Sequence, residues 1–70
     1  MPTLTEYRRR LGWSIADLAR NARISNPTAS KAERGEVINE KTASLICIAL
    51  SKALSQQVTF TDIEGLNVAV

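Results

Sequence analysis

The chain has 70 residues, of which 44% are hydrophobic and 23% charged, with a formal net charge of +2, one cysteine and no histidine. That length supports one small domain, which buries only about 60% of its unfolded-chain surface and leaves little core to surrender to a large cleft. Without histidine, the commonest general base and metal ligand, and with a single cysteine, the sequence argues against an enzyme, an internal disulfide, a structural metal or a bound cofactor.

No stretch approaches the roughly 18–20 apolar residues of a membrane span, and no charged-then-apolar leader begins at Met1, so a cytoplasmic protein without membrane contact is expected. The small net charge hides a polarity. Residues 1–34 set Arg8, Arg9, Arg10, Arg20, Arg23, Lys31 and Arg34 against Glu6, Asp17 and Glu33, a balance of +4. The remainder sets Lys41 and Lys52 against Glu36, Glu40, Asp62 and Glu64, a balance of −2. An N-terminal half of this kind suits a polyanion, and the C-terminal half is left for packing or a protein partner. Solvation of helix faces by the arginines is the plainer alternative.

Neither repeats nor low-complexity tracts are visible, and alternating strand patterns are scarce. The punctuation predicts short helices throughout one domain, 1–70. Thr3 followed by Glu6 has the spacing of a reciprocal capping box, and the first helix should stop at Gly12. Ser14 and Asp17 repeat the box, with Trp13 placed to staple onto Leu18, so a second helix should span Ile15 to about Ala22. A third start falls at Ser25-Asn26-Pro27-Thr28, where a first-turn proline is tolerated, and should end at Gly35. Asn39 caps a fourth, core helix with Ala43, Ile46, Cys47, Ala49, Leu50, Ala53 and Leu54 at helical spacing. Thr59 or Thr61 should cap a short fifth helix through Asp62 or Glu64, with Val58 and Ile63 as a staple and Gly65 as the stop. The tail, Leu66 to Val70, reads as apolar and extended.

Only about three residues separate the second and third helices, too few for an antiparallel pair, so they must cross steeply. That is the helix-turn-helix arrangement, about 14–35, in which the second member enters the DNA major groove. Small or apolar residues stand where the crossing needs them: Leu18, Ala19, Ala22, Ile24, Ala29 and Ala32.

Gly12-Trp13-Ser14, Asp17-Leu18-Ala19 and Glu33-Arg34-Gly35, at their mutual spacing, resemble the phage-repressor and Cro type helix-turn-helix proteins, the XRE family. The resemblance runs from about Leu4 to Val68. It implies an all-α, lambda-repressor-like bundle of five short helices and a sequence-specific, double-stranded DNA-binding transcriptional regulator. Ile15 replaces a glutamine usual in that family, Arg23 stands where a turn glycine is usual, and Ala29 and Ala32 are smaller than the branched residues common there.

By position, the resemblance implies base contacts from Asn26, Pro27, Thr28 and Lys31, residue types that suit adenine, thymine-methyl and guanine edges. Capping for Asn26 and solvated charge for Lys31 are the alternatives. It implies phosphate contacts from Ser25, Arg34, Asn39 and Lys41, with Arg23 and Arg20 as additions. Arg8 and Glu33 are implied to form a structural ion pair. Arg9 and Arg10 are left between surface charge and phosphate contact, and Cys47 and Trp13 are expected to pack. A homodimer on a palindromic operator is expected, with residues of about 55–70 as the dimer segment or a site for a protein partner; the other option for the tail is folding back on the first helix. Two competing functions are an antitoxin and an interaction module that has lost DNA binding.

Overall fold

The computed structural model describes residues 2–69. Val70, the last residue of the expected tail, lies outside them. Four α-helices appear in chain order, α1 (Leu4–Arg10), α2 (Ile15–Ala22), α3 (Asn26–Glu33) and α4 (Glu40–Leu54). Two short strands, β1 (Val37–Ile38) and β2 (Asn67–Val68), and a single 3-10 turn at Phe60–Asp62 complete the fold.

Each helix starts on a side chain that satisfies an otherwise orphaned first-turn N–H. The Ser14–Asp17 box is fully reciprocal: the Asp17 N–H donates to Ser14 Oγ at 3.1 Å and the Ser14 N–H to Asp17 Oδ2 at 2.9 Å. That Ser14 N–H, followed by its hydroxyl, holds the Asp17 carboxyl below the usual carboxylate range. The Thr3–Glu6 box forms by half. Thr3 Oγ1 accepts from the Glu6 N–H, but the Glu6 carboxylate takes the Thr3 hydroxyl and not its N–H. At the same end, Thr3 is bridged to Glu64, and the Glu64 N–H donates to the Pro2 carbonyl at 2.9 Å.

Leu18, Ile46 and Leu50 are the largest fully buried side chains, and around them lie Leu4, Tyr7, Ile38, Val58 and Ile63. Ala19, Ala22, Ala29, Ala32, Ala43 and Ala49 supply the rest of the helical core apart from Cys47. With so little side chain between them, α2, α3 and α4 can approach closely and interlock at interior density. Burial pushes the Cys47 thiol up to about 11, with the Asp62 charge adding to it, so this side chain packs as a small neutral hydrophobe. Ala53, expected in the core, is exposed: it falls on the outer side of the last turn of α4.

The C-terminal segment departs most from expectation. In place of a fifth α-helix there is one 3-10 turn, in which the Asp62 carboxylate accepts from both the N–H and the hydroxyl of Thr59. The Thr59–Asp62 pairing is present, but Ile63 turns extended and enters the core, which ends the helix after one turn. The tail that follows is already committed within the chain. Within its described residues β2 runs parallel to β1, with Val37 opposite Asn67 and Ile38 opposite Val68, and the Ala69 N–H donates to the Ile38 carbonyl at 2.8 Å.

Candidate nucleic-acid interface

The turn between α2 and α3 is closed by backbone geometry. Arg23 takes a left-handed conformation (φ 60°, ψ 44°), and the Ile24 N–H beyond it donates to the Ala19 carbonyl at 2.9 Å. A non-glycine residue held there costs about 1 kcal/mol, so Arg23 occupies the turn against its own preference. The Arg23 side chain is exposed.

Ser25 caps α3, accepting from the Thr28 N–H at 3.2 Å and sharing a hydrogen bond with the Thr28 hydroxyl at 2.7 Å. Asn26 is therefore the first helical residue and not the cap, and its amide is left exposed beside Pro27. One turn on, Lys31 is also exposed, whereas Ala29 and Ala32 on the opposite side are buried. Thus α3 turns an alanine face to the core and Asn26, Pro27 and Lys31 to solvent. Thr28 is half-buried, and its hydroxyl is engaged by Ser25.

The end of α3 is anchored to α1. Arg8 Nε meets Glu33 Oε2 at 2.5 Å, and Arg8 Nη2 reaches Glu33 Oε1 at 3.2 Å, a fork-to-carboxylate pair with side chains only 16% and 9% exposed. Arg8 Nη1 also donates to the Trp13 carbonyl at 2.7 Å, and the Thr5 hydroxyl completes the Glu33 carboxylate. Burial pushes the Glu33 carboxyl up. Hydrogen bonds from Arg8 and Thr5, with the charges of Arg8 and Arg9, outweigh that effect and hold it below the usual glutamate range. Thr5 had no signal in the sequence, because nothing local connects it to a residue 28 positions away.

Among the other cations, Arg34 is tied to Glu36, Nε to Oε2 at 2.5 Å, a partner absent from the sequence reading. Arg20 lies 3.5 Å from Asp17, and Arg10 stands over the Tyr7 ring. Asn39 Oδ1 caps α4 by accepting from the Thr42 N–H at 2.7 Å, which leaves its amide N–H groups as donors beside exposed Lys41. Ile15, at the position of the usual glutamine, is half-buried against the core and offers no donor. Among the described residues, no group of three or more His, Cys, Asp or Glu side chains could hold a metal, and no helix is long and apolar enough to cross a membrane.

The helix-turn-helix family matches the chain over residues 4–56. Searches of curated proteins and of solved structures gave no match.

Proposed function

From its membership of the helix-turn-helix family, of the XRE type, whose characteristic activity is DNA-binding regulation, we propose that this protein is a cytoplasmic transcriptional regulator of the repressor or Cro kind that reads a palindromic operator as a homodimer. The observation that carries the reading is the two-sided α3, with its alanines buried and Asn26, Pro27 and Lys31 exposed at its N-terminal end and one turn on. Asn26 supplies an amide for adenine N6 and N7, and Lys31 a donor for guanine O6 and N7. With its hydroxyl engaged by Ser25, Thr28 has its methyl for a thymine methyl, as does the Pro27 ring. Phosphates are met by Arg23, Ser25, Arg34, Asn39 and Lys41, which position the domain without reading sequence.

One recognition helix reads only a few base pairs, and a second copy about 34 Å away along the duplex would double the site. A surface for that copy is available on α4. Ile48 is 52% exposed and borders an open groove of about 440 Å3 lined by Cys47, Val58, Phe60 and Thr61, three of which belong to the segment expected to dimerise. Ile48→Glu should shift the protein toward monomer in sedimentation and weaken binding to a two-half-site duplex. Binding to a single half-site should not change.

Selection of bound sequences from a random duplex pool tests the whole reading. The expected product is a palindromic consensus, and affinity should fall with salt at a log–log slope of about −0.9 per neutralised phosphate. Absent or salt-insensitive binding would instead identify an interaction module, a reading that the missing donor at Ile15 favours.

A further inference from the structure

The family match stops at residue 56, whereas the chain continues into a segment that is knitted back onto the domain at several points. Tyr7 donates its hydroxyl to the Asp62 carbonyl at 3.3 Å, Glu64 donates to Pro2, and Ile63 is buried. Leu66 and Val68 pack against the core. A segment anchored in this way can hold something else in place.

What it holds is the connection between α3 and α4. Residues 34–39 include Arg34 and Asn39, with Lys41 two positions on. The connection has one buried side chain, Ile38; Arg34, Glu36, Val37 and Asn39 are exposed. Its first half is fastened to the end of α3, through the Gly35 N–H to the Ala32 carbonyl and the Glu36 N–H to the Lys31 carbonyl. Its second half, Val37 and Ile38, is partnered by β2, and Ala69 closes the ladder. The Gly35 and Gly65 turns abut, since a Cβ on Gly35 would lie 3.5 Å from the Gly65 carbonyl.

We propose that residues 66–69 are a positioning strap: by pairing with β1 they hold Arg34, Asn39 and Lys41 in the arrangement that grips the DNA backbone. The inference rests on the DNA-binding reading above. Val37 and Ile38, the half of the connection that α3 does not fasten, would otherwise have to be ordered when DNA binds, and that ordering would be subtracted from affinity. The strap completes the ordering beforehand. It pairs with β1 and not with α3, so it acts on all sequences alike.

Ala69→Pro removes the N–H that Ile38 accepts and leaves the core side chains unchanged. In the full chain it should speed amide exchange of residues 37–42 at least tenfold while α2 amides keep their rates. Affinity should fall by about tenfold, roughly what ordering one or two residues requires, equally for a selected site and for random duplex. The log–log salt slope should stay the same, because the same phosphates are neutralised once the segment is ordered on the duplex, and the unchanged α2 exchange excludes a simple loss of folded protein. Unchanged affinity despite faster exchange at 37–42 would overturn the proposal, as would a loss confined to the selected site. Should Ala69→Pro unfold the protein, Val68→Ser, which keeps every N–H, must show the same changes in smaller measure. If the unaltered protein fails to bind duplex DNA in a salt-dependent way, the DNA reading falls. The exchange measurement still decides the strap, which is refuted if residues 37–42 are no faster in the variant.

Discussion

The α2–α3 pair and the C-terminal segment solve the same problem by opposite means. The pair is held from within: two local caps, a three-residue turn, and alanines that let the helices cross closely. The C-terminal segment has one 3-10 turn and two strand residues, and its place depends on partners more than 25 positions away, Pro2, Tyr7 and Ile38. The pair is thus specified locally, whereas the tail takes its order from the folded body.

Removing the apolar centre of the pair is the most severe way to break that contrast. Leu18 is fully buried, so Leu18→Ala should cost about 3–5 kcal/mol by denaturant unfolding. That is a large share of the roughly 4–10 kcal/mol available to a domain of this length. A loss below about 1 kcal/mol would mean that the pair is not packed as described.

Next comes the brace between α1 and the end of α3. Glu33→Ala should cost about 3 kcal/mol, the lower end for breaking a buried pair, because Arg8 is left without its carboxylate. The same bond sets a pH dependence. Since the folded Glu33 carboxyl is lowered from 4.5, the stability it provides is present above that value and is lost as pH falls through the folded value. Denaturant midpoints measured from pH 6 downward should decline for the unaltered protein and decline less for Glu33→Ala.

Smaller effects separate reading from gripping. Lys31→Ala should cost about 1–3 kcal/mol on a selected site and little on random duplex, whereas Lys41→Ala should weaken both alike and reduce the salt slope by about 1. Equal losses for Lys31→Ala would remove it from base reading. The smallest change is a gain. Arg23→Gly relieves the left-handed turn and should raise thermal stability by about 0.5–1 kcal/mol, measurable as a higher Tm, while forfeiting one cation.

Much of the α2–α3 pair was legible in the chain. Ser14 and Asp17, Ser25 and Pro27, and the glycines at 12 and 35 act within a few residues of themselves, so their consequences can be read in order. The Arg8–Glu33 contact was implied only by family resemblance, although the geometry now explains it. Glu36 beside Arg34 illustrates a miss inside the site: two exposed charges two positions apart pair only if the backbone between them turns, and Gly35 with φ 77° provides that turn.

The sequence by itself determined four helices and the caps of α1, α2 and α4, because helix starts and stops are local properties of the chain. The tertiary structure alone decided the fate of residues 57–69. A two-residue strand carries no periodicity, and whether an apolar tail is left for a partner or pairs with Val37 and Ile38 depends on the edge that the folded core presents to it.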